Sequence, residues 1–346
     1  LAVYNEPLVL RALEQAGFPA REARRFANDG CWEVQVPGRT FFTYLPFDAL
    51  RILQHDTLQD GSARFESYDA LYAQFLADLR RHVQALYRET LVHYTFLYTP
   101  DAESGSKERP CTVISLFEDG CVQSGHCYFE GGPVYNMFSP HIGGVPDVAN
   151  SLYAIRKAVF EDGLLSFTAL MEHLAANWTG SEPMRQKILN GYSWWGNDND
   201  EVDAIAADVL AQFAGFCRKL DADAPFRFLP GVSTFGRQIE WAPARMATAF
   251  GKRAGAVLSG NFSPTPGTDA QGATAVIRSF CKADLVRQTN GAALDLVLSP
   301  GSVRGEDGLA AIAGLIRGFV ALGGFFMQMD VVDAAVLRAA QAEPDA

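Results

Sequence analysis

The sequence predicts an α/β fold. Segments with the apolar spacing of helices alternate with short segments of strand character, as expected when helices cover a sheet. The 346 residues are 48% hydrophobic and 20% charged, so the chain can bury a large core. This length is compatible with one large domain or with two domains of ordinary size.

Apolar residues three and four positions apart predict the helices. Val148, Leu152, Ile155 and Val159 form one such stripe, which we expect to end at Gly163. Further helices are predicted at 7–16, 20–27, 69–90, 166–177, 308–321 and 333–342.

A second clear stripe consists of Val202, Ile205, Val209, Phe213 and Cys217. The polar run Asn-Asp-Asn-Asp at 197–200 precedes it. Such residues cap helices and place carboxylates at the positive end of the helix dipole, so we expect this helix to begin there.

Four short apolar segments are predicted to be strands. They are Thr112–Ser115, Ala256–Ser259, Leu294–Leu298 and Phe325–Val332. Glycine and proline are frequent at 226–275, which predicts a set of ordered loops.

The composition disfavours several classes of partner. A net charge of -11 and a pI near 5.0 disfavour nucleic acid, because phosphate binding rests on clustered Lys and Arg. No apolar run reaches the length of a membrane span, and the first residues lack the order of a signal peptide. The six cysteines are too dispersed for a disulfide framework, so we expect reduced thiols and a cytoplasmic location.

The first candidate for chemistry is the segment Asp29-Gly30-Cys31-Trp32-Glu33. A glycine before the cysteine, and the Pro-Gly pair at 37–38, predict a tight loop that displays the sulfur. His126-Cys127 is too sparse to be a metal site, since zinc and iron-sulfur sites need paired ligands. No metal site is therefore predicted.

Further segments extend the pattern that begins near Glu6 and includes the cysteine loop. They are Ser115–Cys121, Gly131–Asn136, Asn150–Ile155, Gly196–Asp198, Gly251–Gly255, Ser263–Gly267 and Gly323–Gly324. In order and spacing, these segments resemble the glycyl radical enzymes of the pyruvate formate-lyase superfamily. The resemblance runs to the end of the chain.

The resemblance implies the architecture. It implies part of a ten-stranded α/β barrel built of two half-barrels, mainly the second half together with the cysteine loop. Residues 1–346 would then be a single truncated domain, with the cysteine loop region at 1–50. A mainly helical part would follow at 51–225, and the loops and strands of the second half-barrel at 226–346.

The resemblance also implies the roles of two residues. Cys31 matches the cysteine that becomes a thiyl radical and removes a hydrogen atom from the substrate. Glu33 matches the general base or acid of the lyase and dehydratase branches, and burial would raise its pKa towards neutrality. The implied function is therefore a radical lyase or dehydratase acting on a small organic substrate.

The loop departs from two known branches of the family. Trp32 follows Cys31 where formate acetyltransferases have a second cysteine, and the segment 40–48 lacks the His-Asp pair of the diol dehydratases. This more aromatic segment suits a larger or less polar substrate. The residues expected to line the pocket are Trp32, Tyr44, Phe47, Ser233 and Phe235.

The resemblance implies no dissociable cofactor. The stretch at 341–346 is similar to the sequence that precedes the Arg-Val-x-Gly-Tyr radical motif, so the glycyl radical is expected on a segment absent from this chain. A separate iron-sulfur and S-adenosylmethionine activating enzyme would install it. The chain begins without methionine, which fits a start inside a longer protein whose other parts are also partners, and the complete enzyme would be a homodimer.

Several alternatives stay open. One is a non-catalytic scaffold or assembly subunit derived from the family, and another is a radical arylacetate-type decarboxylase or a formate acetyltransferase-like enzyme. A third is an unrelated α/β hydrolase with Cys31 as nucleophile, which requires a histidine within hydrogen-bond reach of the thiol.

Overall fold

The computed structural model describes residues 1–29, 31–98 and 112–343. The α-helices are Glu6–Gln15, Ala20–Ala23, Ala49–Arg51, Tyr68–Tyr98, Thr112–Ser115, Cys121–Ser124, Val145–Ile155, Phe167–Ala175, Glu182–Gly191, Asp200–Asp221, Gln238–Trp241, Gly272–Cys281, Gly305–Ala321 and Ala334–Ala342. Two of them continue as π-helical turns at Ile52–Thr57 and Arg156–Glu161. Short 3₁₀ turns lie at Gln59–Gly61, Tyr128–Glu130, Ala242–Ala244, Leu285–Arg287 and Pro300–Val303.

The described strands, in chain order, are β1 (Ala2–Tyr4), β2 (Ala27–Asn28), β3 (Val34–Gln35), β4 (Thr40–Asp48), β5 (Tyr135–Gly143), β6 (Gly231–Val232), β7 (Ala293–Leu298) and β8 (Phe326–Val331). Three of these strands, β4, β5 and β6, form a parallel sheet in that order. A second sheet has the order β1-β8-β7, in which β7 and β8 are parallel and β1 is antiparallel. A parallel bridge between Val232 and Ala292 joins the two sheets where β6 meets the start of β7.

The two faces of β4 and β5 have different neighbours, because successive side chains of a strand point to opposite sides. On one face Phe47 packs against His82 and Phe213, with ring centroids 4.8 and 5.7 Å apart. These partners belong to the helices Tyr68–Tyr98 and Asp200–Asp221, so this face is covered by helices. The other face carries Tyr44 and His141 and is turned towards the cysteine loop.

Buried polar contacts hold the loops at the carboxyl ends of these strands. The Arg245 guanidinium donates to both oxygens of Asp48, at 2.8 and 3.0 Å, where β4 ends. Asp147, in a helix whose residues are all buried, accepts hydrogen bonds from Ser259 and Thr265. These contacts hold parts of the glycine- and proline-rich segment 226–275. The segment consists largely of loops, as predicted, but it also contains β6, the helix Gln238–Trp241 and the start of the helix Gly272–Cys281.

The helices agree with the apolar stripes. The stripe that starts at Val202 lies in Asp200–Asp221, and Asn199 caps it by accepting a hydrogen bond from the Glu201 N–H at 3.1 Å. The predicted strands at Leu294–Leu298 and Phe325–Val332 are β7 and β8. The helix predicted at 20–27 ends at Ala23, and Ala27 already belongs to β2.

Two strand predictions were wrong. Thr112–Ser115 is a helical turn, in which Val113 and Ile114 are 71% and 45% exposed, so its apolar side chains do not form the buried face that a strand of this kind would have. Ala256–Ser259 is irregular, and the Ser259 N–H donates to the Asp147 carboxylate instead of to a sheet. Conversely, the aromatic segment 40–48 is the strand β4, which is not among the four predicted strands.

Candidate active site

The cysteine loop is the turn of a short hairpin. β2 and β3 pair antiparallel, with Asn28 opposite Val34, and the Asp29 N–H donates to the Glu33 carbonyl at 2.9 Å. Cys31 therefore lies at the tip of this turn, where it is exposed. The sequence placed the sulfur in such a loop.

Two side chains hold the backbone of Cys31. The Tyr4 hydroxyl donates to the Cys31 carbonyl at 2.9 Å, and the Asn28 amide donates to the same oxygen at 3.2 Å. Tyr4 lies on β1, which pairs with β8, so the tip of the hairpin is connected to the second sheet. Burial, followed by the charges of Glu33 and Cys31, raises the pKa of Tyr4, so its hydroxyl keeps the proton that it donates.

Glu33 differs sharply from Cys31 in exposure, being only 2% exposed. Its Oε2 accepts a hydrogen bond from the Trp32 N–H at 3.1 Å, whereas the buried Oε1 has no hydrogen-bond partner among the described residues. Burial raises the pKa of Glu33 to about 7, although nearby backbone N–H groups oppose this shift. A carboxyl group with that pKa can both donate and accept a proton near neutral pH.

The thiol of Cys31 is held in its protonated form. Although Cys31 is an exposed residue, packing of the loop partly removes its sulfur from water, and this desolvation raises the thiol pKa. The carboxylates of Glu33 and Asp29 raise the pKa further. The site therefore favours S–H over thiolate, which suits hydrogen-atom transfer better than nucleophilic attack.

An aromatic stack lies beside the cysteine. Phe235 stacks between Trp32 and Tyr44, with ring centroids 5.3 and 4.2 Å apart. The opposite side of Trp32 approaches Gly291, whose φ is +105° and whose added Cβ would lie 2.9 Å from the indole ring. The structure thus brings together three of the residues expected to line the pocket.

Ser233 and an unanticipated histidine lie behind this stack. The Ser233 hydroxyl is 2.8 Å from Nδ1 of His141, and the His141 ring lies edge-on to Phe235 with centroids 4.9 Å apart. Sequence reasoning missed His141 because it did not recognise Tyr135–Gly143 as a strand. Once Tyr135–Gly143 is known to be a strand, its geometry puts His141 on the same face as Ser139 and Met137.

The structure does not bring Phe47 to the other pocket residues. Phe47 and Tyr44 are three positions apart on β4, so their side chains point to opposite faces of the sheet. Phe47 is 7% exposed and belongs to the core beneath the helices. Of the five residues predicted to line the pocket, Phe47 therefore lies apart from the others.

Across the described ranges, no group of three or more His, Cys, Asp or Glu residues is placed to hold a metal ion. In the same ranges, no helix has the length and apolarity that a membrane span requires. Four histidines contact side chains other than Cys31. His55 pairs with Asp60, His82 packs on Phe47, His141 pairs with Ser233, and His173 pairs with Ser181.

Comparison with known families shows to which family this chain belongs. A family model described as pyruvate formate lyase-like matches residues 1–241, and one described as glycine radical matches residues 258–346. The chain belongs to the glycyl radical enzymes of the pyruvate formate-lyase superfamily. This membership overturns the alternative of an unrelated α/β hydrolase.

Individual relatives of this glycyl radical chain are dehydratases and lyases. It is 26% identical to the trans-4-hydroxy-L-proline dehydratase of Clostridioides difficile, over 99% of the chain and 44% of that protein. It is 32% identical to an isethionate sulfite-lyase of Nitratidesulfovibrio vulgaris (strain Hildenborough), over 99% of the chain and 43% of that protein. The chain thus spans somewhat less than half the length of these relatives.

A solved structure shows the same fold. The hydroxyproline dehydratase of Clostridioides difficile, with its substrate bound, superposes with a TM-score of 0.90 at 25% identity, over 99% of this chain and 44% of that one. The fold is therefore α/β and corresponds to part of the glycyl radical enzyme barrel. The match at 258–346 also shows that sequence of the glycine radical domain is present, although the 346 residues contain no Arg-Val-x-Gly-Tyr run.

Proposed function

We propose that this chain carries the reactive centre of a radical lyase or dehydratase, in which Cys31 is the hydrogen-abstracting residue and Glu33 the general acid and base. The observation that carries the proposal is the pairing, within one hairpin turn, of an exposed thiol with a buried carboxyl group. One oxygen of that carboxyl group has no hydrogen-bond partner among the residues that the structure describes, and burial raises the pKa of the group to about 7.

The proposed reaction conserves atoms and electrons. A hydrogen atom passes from a substrate carbon to the thiyl radical of Cys31. Cys31 thereby becomes a thiol, and the unpaired electron is left on the substrate carbon. The neighbouring group departs with its bonding electrons and takes a proton from Glu33, and a hydroxyl of the substrate then returns a proton to Glu33. The product radical finally takes the hydrogen atom back from Cys31.

The source of the radical is part of the proposal. A glycyl radical stores the unpaired electron between turnovers, and we infer that a segment outside these 346 residues contributes this glycine. A separate activating enzyme that uses S-adenosylmethionine and an iron-sulfur cluster would generate it. The pocket of the complete enzyme would include residues from the rest of its barrel.

The aromatic stack narrows the class of substrate. The relatives act on hydroxyproline and isethionate, as their names state. In this chain the side chains stacked beside Cys31 are the rings of Trp32, Tyr44 and Phe235, and we propose that they form the wall of the pocket. We propose a substrate with an apolar or aromatic body, since such rings bind flat apolar surfaces. The same wall keeps an arylacetate-type decarboxylase as a second candidate, which release of CO₂ would distinguish from elimination.

The test uses the protein expressed with its flanking coding sequence and treated anaerobically with an activating enzyme and S-adenosylmethionine. We expect a glycine-type doublet by electron paramagnetic resonance and substrate turnover in the wild type. In C31A the doublet should persist while turnover is lost, and E33Q should reduce turnover by about 100-fold or more. C281A, which alters the cysteine at the end of the helix Gly272–Cys281, is the matched control.

Turnover by C31A would refute the assignment of Cys31. A doublet in every variant with no turnover of any hydroxylated, sulfonated or aromatic candidate would instead favour a non-catalytic scaffold.

A further inference from the structure

His141 occupies a space that the sheet reserves for its ring. It lies on β5 in register with Gly231 on β6, and it is fully buried. A Cβ atom added to Gly231 would overlap the imidazole ring, so only glycine at that position leaves room for it. The ring is thus held against the sheet on the face that carries the pocket.

Only one nitrogen of His141 has a partner. Nδ1 is paired with the Ser233 hydroxyl at 2.8 Å, while the buried Nε2 has no hydrogen-bond partner among the described residues. A buried polar atom without a partner costs about 1–3 kcal/mol, and such atoms in folded proteins call for an explanation. A bound ligand would supply the missing partner.

The His141 ring is neutral, which restricts the chemical class of ligand that can bind to it. Burial lowers the pKa of His141 to about 3, so the imidazole has one donor and one acceptor nitrogen. A charged group placed against a neutral ring in apolar surroundings would lose its hydration without gaining an ion pair. The fitting partner is therefore an uncharged polar group.

Phe235 separates His141 from the space beside the cysteine loop. Its ring lies edge-on to the imidazole at 4.9 Å and stacks on Trp32, the neighbour of Cys31 in sequence. The backbone of Phe235 has a φ of +53°, which is unusual for a bulky residue, and its side chain is only half-buried. A change in this one side chain would open a path between the stack and Nε2.

We propose that His141 and Ser233 form the polar end of the substrate pocket, where Nε2 of His141 shares a hydrogen bond with a hydroxyl, carbonyl or amide group of the substrate. The apolar or aromatic body of that substrate lies against Trp32 and Tyr44, where it displaces Phe235. This inference rests on the proposed function, because it assigns the specificity of the pocket beside Cys31.

The experiment uses two probes of the same shape, phenol and toluene, of which only phenol has a hydroxyl. Ligand-observed NMR titrations give their affinities for the wild type and for H141F. We expect phenol to bind H141F about 3- to 10-fold more weakly, the loss typical of one hydrogen bond, and toluene to bind both equally. H173F is the matched control, because Nδ1 of His173 is likewise 2.8 Å from a serine hydroxyl, that of Ser181, but His173 lies on the helix Phe167–Ala175.

A second measurement needs no variant of the pocket. In the wild-type chain labelled with ¹⁵N-histidine, phenol should shift the Nε2 resonance of His141 and leave that of His173 unchanged, and toluene should not reproduce the shift. Equal phenol affinity in wild type and H141F, no shift at His141, or no binding of phenol would overturn the proposal. C31A separates the two proposals, since it should abolish turnover without changing phenol affinity.

Discussion

At the scale of single residues, the candidate site combines two residues of one turn that differ in exposure. Cys31 reaches the surface of the turn, whereas Glu33, two positions further on, is buried with an unpartnered oxygen. The burial that raises the pKa of Glu33 also makes its ionisation costly to the fold. In the acid-base role that we propose for Glu33, function and stability would therefore be linked through the same carboxyl group.

The cost of ionising Glu33 gives a pH-dependent prediction. Its pKa rises from 4.5 to about 7 on folding, so between these pH values the folded state binds more protons than the unfolded state. The free energy of unfolding should therefore fall by up to about 3 kcal/mol as the pH rises from about 4.5 to 7. Urea unfolding at several pH values should show this fall in wild type relative to E33Q.

The exposed carboxylate of Glu240 provides the matched control. E240Q should follow the wild-type pH profile. A constant difference between wild type and E33Q across this pH range would show that Glu33 ionises normally in the folded chain.

A second residue-scale prediction concerns Tyr4. Y4F removes the hydroxyl that donates to the Cys31 carbonyl, so the turn should loosen and the rate of Cys31 alkylation by iodoacetamide should rise at fixed pH. The lost hydrogen bond should cost about 1 kcal/mol of stability. In Y94F, which removes a similar bond to the Pro225 carbonyl, a comparable loss should leave alkylation of Cys31 unchanged. An equal rise in alkylation in both variants would exclude a specific role for Tyr4.

At the scale of elements, the two faces of β4 have different surroundings. Tyr44 faces the aromatic stack and is 40% exposed, whereas Phe47 is 7% exposed beneath the helices. The same strand thus supplies one face to the core and the other to the aromatic stack beside Cys31. Three positions in sequence are enough to change the role of an aromatic side chain.

Alanine variants of these two residues test that division. F47A should lower the free energy of unfolding by about 3–5 kcal/mol, the usual cost of deleting a buried aromatic ring. Y44A should cost much less, yet it should weaken the binding of flat aromatic probes such as toluene. Chemical denaturation and ligand-observed NMR provide the two measurements, and a large stability loss in Y44A with none in F47A would reverse the assignment of the faces.

At the scale of the whole molecule, the described sheets form one side of a barrel. β4 pairs only with β5, and β1 only with β8, within the part of the chain that the structure describes. The two sheets meet at the bridge between Val232 and Ala292, with the cysteine hairpin connected to both regions. The turn that carries Cys31 is therefore held by contacts from more than one element, such as Tyr4 on β1 and Phe235 after β6.

The corresponding prediction is that the 346 residues alone form no glycyl radical. Gly323 and Gly324 precede β8, and an added Cβ on Gly324 would overlap the Phe319 ring, which gives that glycine a packing role. We expect no glycine-type doublet by electron paramagnetic resonance after anaerobic treatment of this chain with an activating enzyme and S-adenosylmethionine. A doublet would contradict this expectation, and its assignment would need ¹³C-labelled glycine.

The sequence by itself determined the α/β class, the long helices and the strands β7 and β8, because apolar periodicity is a local property of the chain. It also indicated the cysteine turn, since Gly30 and the Pro-Gly pair mark it directly. The division of the chain into parts stays a prediction.

Only the tertiary structure decided which residues meet at the pocket. β4 and β5 did not show the simple alternation of a half-buried strand, because both of their faces carry apolar or aromatic residues, so Tyr44 and Phe47 could not be assigned to faces in advance. His141 and Ser233 are 92 positions apart and become partners only when β5 and β6 pair in parallel. The burial of Glu33 likewise depends on packing by distant segments, which no local pattern in the sequence records.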